Sequence, residues 1–339
     1  MLNSRTVLVL GAGASNEIGF PLGEGLKDII ASKLNIRFSA DGQASGCSKL
    51  SDAIRLYLAD KSLDRSEFNQ YIGSARDLKG ALEASQSIDH ALYSRSNDQK
   101  IEVCGKLGIV ASIIEYEKKS KLHCDGDDYH LTDLGKLSHS WYPKFFFELS
   151  SNIDQANYKR IFDYITIVNF NYDRSLEQYL YLAMIKRFGI SADQSSEVLK
   201  SLNIIHPYGN IGRLPWQNYK EGEIVKYGDI NYTQYNNLFQ NIKTFHESQS
   251  YNSNLKNSIR NASNIAFLGF GFHEQNMKLL DIDYESNIDN IYATGFRISN
   301  NRIIDYKNRL KGAFRNNSAK IDIADIECVE FFNYFNITA

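Results

Sequence analysis

The chain has 339 residues, of which 43% are hydrophobic and 23% are charged, and its net charge is −2. This composition is typical of a globular chain with one large domain or two small ones, and it excludes a strongly basic nucleic-acid-binding protein. No apolar run reaches the roughly 18 residues of a membrane span, and no signal peptide is expected. The four cysteines (Cys47, Cys104, Cys124 and Cys328) show no paired spacing, which predicts free thiols in the cytoplasm.

The first predicted element is a strand at Thr6–Leu10 (TVLVL), which runs directly into the glycine-rich segment Gly11–Pro21 (GAGASNEIGFP). The strand is β-branched and apolar without alternation, as is typical of a strand buried on both faces of a parallel sheet. Gly11 and Gly13 allow a sharp turn and let backbone amides approach a pyrophosphate. The segment therefore predicts a binding site for a dinucleotide or another phosphate ligand.

A helix is expected after this loop, and Ser15 or Asn16 can cap its N-terminus, which favours anionic oxygens. The dinucleotide fingerprint of dehydrogenases, G-x-G-x-x-G/A, does not fit, because Asn16 stands at its sixth position. That fingerprint also needs a second strand ending in an acidic residue about 20 positions on, whereas Leu26–Leu34 predicts a helix. A dehydrogenase site is therefore not expected.

The remaining strand patterns lie in the second half of the chain, and residues 36–160 show helical spacing instead. We therefore expect an α/β fold with a Rossmann-like, mostly parallel sheet and helices on both faces. Residues 1–35 and 161–339 would form this sheet domain, and residues 36–160 would form a large, all-helical insertion. The predicted strands are Tyr164–Asn171, Leu202–His206, Asn264–Phe270, Asn290–Phe296 and Glu327–Phe332.

The segment His123–His139 gathers His, Cys and Asp residues, which are side chains that can bind metal ions. An EF-hand that starts at Asp125 needs Gly at position 6 and Glu at position 12, but His130 and Lys136 stand there. The histidine spacings match no zinc pattern either. We expect a polar surface loop and no metal.

Polar residues follow two of the predicted strands. Asn171 and Asp173 follow the first of them, and the next strand ends at His206. The carboxyl ends of parallel strands are where α/β sheets bind ligands, and a neutral imidazole there suits general base catalysis near pH 7. Alternatively, Asp173 caps a helix predicted at Arg174–Lys186, and Asn171 satisfies turn amides.

A second glycine turn follows the strand near residue 268, in the sequence Leu268–Phe272 (LGFGF). Gly269 and Gly271 suit a second close approach of the backbone to the ligand, or a plain connection between strand and helix. His273 is the rival of His206 as a base. Its position at a predicted helix start favours a capping or surface role.

Taken in order, these segments resemble the sirtuin superfamily. The sirtuin nucleotide loop, G-A-G-x-S-x-x-x-G-[IF]-P, matches Gly11–Pro21 at every defined position. The sirtuin Q-N-I-D segment is similar to Phe170–Asp173. The H-G and G-[TS]-S segments are similar to His206 with Gly209 and to Gly269–Gly271.

Several departures separate the chain from sirtuin deacylases. The D-F-R segment after the proline is replaced by Leu22–Glu24, two extra residues separate His206 from Gly209, and the four-cysteine zinc module is absent. In these features the chain resembles the sirtuin-like domains of bacterial anti-phage systems, which hydrolyse NAD⁺. The segment Ser87–Leu92 is similar to the helical insertion of that group.

This resemblance implies an NAD⁺ glycohydrolase that yields nicotinamide and ADP-ribose, depletes NAD⁺ in abortive infection and uses no metal. Asn171 would hold a water or the ribose hydroxyls, and His206 would take a proton from one of them. Asp173 would orient the Asn171 loop or contact the ribose. The residues expected to bind the dinucleotide are Gly11, Ala12, Gly13, Ser15, Pro21, Gly269 and Gly271.

Two alternatives stay open at this point: an NAD⁺-dependent protein deacylase, and a non-catalytic NAD⁺- or ADP-ribose-binding module that gates an assembly. Whether ADP-ribose is hydrolysed or cyclised is also open. Because constant NAD⁺ depletion is toxic, we expect control by homo-oligomerisation or by a partner. The resemblance implies a HerA-type ATPase or an Argonaute-like protein as that partner.

Overall fold

The structure is a computed structural model that describes residues 3–124, 132–230, 232–249, 253–283 and 285–337. Its strands are β1 (Thr6–Leu10), β2 (Arg37–Ser39), β3 (Gly42–Ser45), β4 (Ile165–Asn169), β5 (Asn203–Ile205), β6 (Asn264–Leu268), β7 (Asn290–Thr294) and β8 (Lys320–Ala324). Its α-helices are α1 (Ala12–Asn16), α2 (Gly23–Leu34), α3 (Ser48–Asp60), α4 (Phe68–Glu83), α5 (Ile88–Ser94), α6 (Gln99–Lys119), α7 (Trp141–Ser150), α8 (Ser175–Phe188), α9 (Ala192–Leu199), α10 (Tyr235–Leu238), α11 (Phe245–Gln249), α12 (Ser253–Arg260), α13 (Glu274–Leu280), α14 (Asn300–Ala313) and α15 (Phe331–Tyr334).

The main sheet of the described residues has six strands in the order β5-β4-β1-β6-β7-β8, and every pair in it is parallel. Helices flank this sheet, so the predicted Rossmann-like α/β fold is confirmed. Every residue of β1 and β6 is buried, which explains their continuous apolar sequences. In the register, Leu10 lies beside both Asn169 and Leu268. The loops after β1, β4 and β6 therefore meet at one edge of the sheet.

One predicted strand is wrong. Residues of the predicted strand Glu327–Phe332 form a 3₁₀ turn at Cys328–Glu330 and the start of α15. Phe332 packs against Trp141 and Phe145 of α7, so its apolar character serves a helix contact. The sixth strand is β8 instead, an edge strand whose half-exposed, mixed sequence gave no continuous apolar run.

The insertion is mostly helical but not entirely so. The short strands β2 and β3 form an antiparallel hairpin, and both are largely exposed and polar, which hid them from an apolar pattern search. Helix α6 lies among the other helices, because it packs against α2, α3, α4 and α5. Because α2 belongs to the first predicted sheet segment, the boundaries 1–35, 36–160 and 161–339 stay predictions.

Two sequence expectations concern features outside the sheet. Residues 125–131 of the predicted polar loop His123–His139 lie outside the described residues. In the described part of the chain, no group of His, Cys, Asp and Glu side chains is placed to hold a metal ion. Among the described residues, no helix combines the length and apolar character that crossing a bilayer requires.

Candidate active site

A cleft of about 1100 Å³ lies at the carboxyl-terminal ends of the parallel strands. Its volume is slightly above the usual range of about 300–1,000 Å³ for small-molecule sites. The loops after β1, β4, β6 and β7 form one part of its lining, and the start of α2 with residues 83–89 of the insertion forms another. The strand order is that of a doubly wound dinucleotide-binding fold, in which ligands bind at the reversal between β1 and β6.

Nine of the ten predicted site residues line this cleft, and His206 does not. Chain segments more than 150 residues apart in sequence are thus brought together by the sheet. The nine residues are Gly11, Ala12, Gly13, Ser15, Pro21, Asn171, Asp173, Gly269 and Gly271.

The two glycine turns lie against each other. The amide of Gly11 donates to the Leu268 carbonyl at 3.0 Å, and the amide of Gly13 donates to the Gly269 carbonyl at 3.0 Å. A Cβ atom on Gly13 would lie 2.7 Å from the Gly269 Cα. Gly269 has φ +58°, and a Cβ there would lie 2.2 Å from the Ala14 nitrogen. These glycines therefore serve the contact between two loops, and the amides of Gly11 and Gly13 are not free for phosphate.

We expect Gly269→Ala to lower the free energy of unfolding by at least about 2 kcal/mol, since overpacking adds to the strain of positive φ. Urea unfolding measures this change. Gly73→Ala is the matched control, because Gly73 lies inside α4 with no heavy atom within 4 Å of the added Cβ. That control should stabilise the protein by about 0.5–1 kcal/mol. Equal stability of the Gly269 variant and the wild type would contradict the close-packing argument.

The side chain of Asn171 is held in one orientation. Its Nδ2 donates to the Gly11 carbonyl at 2.9 Å and to the Ser15 hydroxyl at 3.0 Å. Because a carbonyl oxygen only accepts hydrogen bonds, the amide cannot be flipped without losing the Gly11 contact. The Oδ1 of Asn171 has no partner among the described residues, so it is available to accept a hydrogen bond from a ligand or a water.

Ser15 and Asp173 help to fix the orientation of the Asn171 side chain through further hydrogen bonds. The Ser15 hydroxyl donates to Asp173 Oδ2 at 2.8 Å, and the amide of Ser175 donates to Asp173 Oδ1 at 3.0 Å. Desolvation by burial raises the pKa of Asp173 despite these hydrogen bonds. Both oxygens of Asp173 are thus engaged within the protein, and it links the Asn171 network to the start of α8.

The predicted helix caps are partly corrected. Ser15 and Asn16 lie inside the short helix α1, and the residue before α2 is Leu22, so neither polar residue caps a helix here. Helix α1 begins directly after Gly11, so Gly11 itself occupies the cap position. Asp173 does accept an amide of the first turn of α8, as the capping alternative predicted.

His206 lies behind Asn171 and outside the cleft lining. Its Nδ1 is 3.2 Å from the Asn171 carbonyl oxygen, and its Nε2 is 2.8 Å from Glu177 Oε1. The Asn171 carbonyl only accepts hydrogen bonds, so His206 Nδ1 is the donor in that contact. Both ring nitrogens thus have a protein partner, and His206 links the Asn171 backbone to Glu177.

Glu177 is the partner that sequence reasoning missed. Its side chain is 2% exposed and that of His206 is 8% exposed, so the pair is buried. Burial by itself would raise the pKa of Glu177, but the charge of His206 and their hydrogen bond outweigh it, and the pKa is lowered. Glu177 lies in the first turn of α8, six residues after Asn171, and no local pattern marked it as a partner of His206.

No protein-family model matches the chain, and no curated protein matches it either. The sirtuin-like family therefore stays a prediction from the motifs.

His273 lines the cleft, whereas His206 does not. Its ring packs against Gly271, where a Cβ would lie 2.8 Å from Nε2. His273 occupies the cap position before α13, but its side chain makes no capping hydrogen bond. Desolvation and the charges of Arg302 and Arg309 lower its pKa, which favours the neutral imidazole at pH 7.

Proposed function

We propose that the chain is an NAD⁺ glycohydrolase, which cleaves the bond between nicotinamide and ribose and releases nicotinamide and ADP-ribose. The observation that carries this proposal is the fixed amide of Asn171, whose Oδ1 is unused at the edge of a dinucleotide-sized cleft. The sirtuin-like motifs supply the choice of NAD⁺ among dinucleotides. They also supply the proposed biological role, which is depletion of NAD⁺ in anti-phage defence.

The proposed chemistry needs orientation more than a strong base. Nicotinamide leaves as a neutral molecule, because the electron pair of the broken bond neutralises the pyridinium nitrogen. The ribose carbon then carries oxocarbenium-like charge, and a water oxygen bonds to it and loses a proton. In this proposal Asn171 Oδ1 accepts a hydrogen bond from that water or from a ribose hydroxyl, so that the reacting atoms are aligned. No metal takes part in these steps.

The test is incubation of the purified chain with NAD⁺, followed by chromatography of nicotinamide, ADP-ribose and cyclic ADP-ribose. We expect equal amounts of nicotinamide and ADP-ribose from the wild type. Asn171→Ala should lower the rate by at least about 10²-fold, because alignment of the reacting groups is lost. Asn308→Ala, an exposed change on α14, is the matched control and should leave the rate unchanged.

Other outcomes distinguish the alternatives. A folded chain that binds NAD⁺ without releasing nicotinamide would support the binding module that gates an assembly. Release that depends on an acyl-lysine peptide would support the deacylase. Control of the proposed activity by self-assembly, by a HerA-type ATPase or by an Argonaute-like protein belongs to the same proposal, and mixing each partner with the chain in this assay tests it.

An exposed aromatic side chain leads to a prediction for the other end of the dinucleotide. Phe296 follows β7, lines the cleft and is 47% exposed, and the Arg297 guanidinium lies 4.8 Å from its ring centroid. Stacking of a base on an aromatic ring is worth about 1–3 kcal/mol. Phe296→Ala should therefore raise KM for NAD⁺ about tenfold and leave kcat within about twofold.

Nicotinamide mononucleotide, which lacks the adenine, is the matched control substrate for this prediction. Its steady-state constants should not change in the Phe296 variant, and Phe296→Tyr should behave as the wild type with both substrates. An equal loss with NAD⁺ and with the mononucleotide would show that Phe296 does not stack on the adenine.

A further inference from the structure

The residue after Asn171 connects the cleft floor to the helical insertion. The side chain of Tyr172 is buried, and its hydroxyl donates a hydrogen bond to Oδ1 of Asp89. Asp89 lies in the first turn of α5, 83 residues earlier in the sequence. Both side chains line the cleft. The insertion thus contributes a carboxyl group next to the predicted reaction centre.

One oxygen of this carboxyl is left for a ligand. The hydroxyl of Tyr172 occupies Oδ1, and Oδ2 of Asp89 accepts no hydrogen bond from another residue in the described part of the chain. Desolvation by burial raises the pKa of Asp89. Because Asp89 lines the cleft, a ligand bound there can donate a hydrogen bond to Oδ2.

The cleft wall beside Asp89 is a packed aromatic cluster. Its members line the cleft and are between 2% and 7% exposed: Phe170, Tyr172, Tyr208 and Phe270. The centroid of Phe170 lies 5.1 Å from that of Phe270 and 5.9 Å from that of Tyr208, and Tyr172 lies 6.2 Å from Tyr208. This apolar wall and the neighbouring carboxyl oxygen suit a ligand group that combines an apolar ring with one hydrogen-bond donor.

We propose that Asp89 is a specificity-determining residue that accepts a hydrogen bond from the carboxamide NH₂ of nicotinamide. This inference rests on the proposed function, because Asn171 at the ribose places the attached pyridine ring beside Tyr172. Asp173, the other carboxyl next to Asn171, has both oxygens engaged by Ser15 and Ser175 and cannot take this role. Asp89 would therefore reject nicotinic acid adenine dinucleotide, in which a carboxylate without donors replaces the amide.

The experiment compares NAD⁺ with nicotinic acid adenine dinucleotide for the wild type and for Asp89→Asn in the full chain. The wild type should prefer NAD⁺ by at least about 10²-fold in kcat/KM. Asp89→Asn should lower that preference at least tenfold, because the asparagine amide can donate to the carboxylate of the analogue. The asparagine retains an acceptor for Tyr172, so the variant is expected to fold. Asp77→Asn, an exposed change on α4, is the control that should keep the wild-type preference.

Calorimetric titration of the same proteins with both dinucleotides separates this inference from the proposed function. Cleavage of NAD⁺ with the same preference in wild type and Asp89→Asn would overturn the role of Asp89 alone. Absence of cleavage with a shifted preference in binding would overturn the hydrolase alone and support Asp89. Absence of binding of either dinucleotide would overturn both.

Discussion

Glu117→Ala is expected to lower the free energy of unfolding by about 3–5 kcal/mol, because it leaves a buried guanidinium without its carboxylate. The side chains of Glu117 and Arg174 are 0% and 1% exposed. Arg174 Nε donates to Glu117 Oε1 at 3.0 Å, and Arg174 Nη2 is 2.5 Å from Glu117 Oε2. The amide of Gly228 also donates to Oε2 at 3.0 Å, so the carboxylate is fully used.

The same pair connects three parts of the molecule that surround the cleft. Glu117 lies at the end of α6 in the insertion, and Arg174 directly follows Asp173 of the site. The guanidinium also donates to the carbonyls of Val225 at 2.8 Å and Lys226 at 3.2 Å. Loss of Glu117 should therefore loosen the Asn171 loop, and we expect the proposed NAD⁺ cleavage to fall together with stability.

Urea unfolding of the variant measures the stability loss, and Glu115→Ala is the matched control on the same helix. Glu115 pairs with Lys33 and Lys119 near the surface, where an ion pair contributes about 0–1 kcal/mol. Similar losses in the two variants would show that burial does not set the cost. Replacing both partners, with Glu117→Leu and Arg174→Met, should restore part of the stability, since no unpaired charge stays buried although the Gly228 amide and the Val225 carbonyl lose their partners.

The sheet was predictable where local sequence carries the signal. Strands β1, β4 and β6 are buried on both faces, so their apolar, β-branched runs are visible without knowledge of their neighbours. Strand β8 lies at the sheet edge and the hairpin of β2 and β3 is exposed, and neither position demands an apolar sequence. Their formation depends on partner strands, which a pattern within one segment does not show.

The residues of the candidate site were likewise predictable only where a local sequence pattern marks them. The glycine turns and Asn171 were found because sharp turns at strand ends have local signatures. The contacts of His206 with Glu177 and of Asp89 with Tyr172 were not, because the partners lie 29 and 83 residues apart in the sequence. Their chemistry is decided by contacts between α5, α8 and the strand ends. A sequence pattern identifies such residues as polar but not as partners.

His206→Ala is expected to reduce NAD⁺ cleavage by at least about 10²-fold, although His206 does not line the cleft. Without the imidazole, the Asn171 carbonyl loses its donor, and the backbone that positions the amide proposed to align the substrate is held less firmly. The variant should also lose about 3–5 kcal/mol of stability, because Glu177 stays buried without its partner. Nicotinamide release and urea unfolding measure the two effects.

The double variant His206→Leu with Glu177→Met separates positioning from stability. Two apolar side chains leave no buried charge, so stability should return while cleavage stays low; recovery of both would contradict the positioning role. Glu177→Gln should keep the position of His206, since glutamine can donate to Nε2 while Nδ1–H still reaches the Asn171 carbonyl. The rate of NAD⁺ cleavage by this variant should stay within about tenfold of the wild-type rate.

The pKa of Glu177 is lowered by folding, so its ionised form stabilises the wild type above the unfolded pKa. This contribution is lost as pH falls through the folded pKa. The unfolding free energy of Glu177→Gln should therefore fall less on acidification than that of the wild type, because glutamine binds no proton.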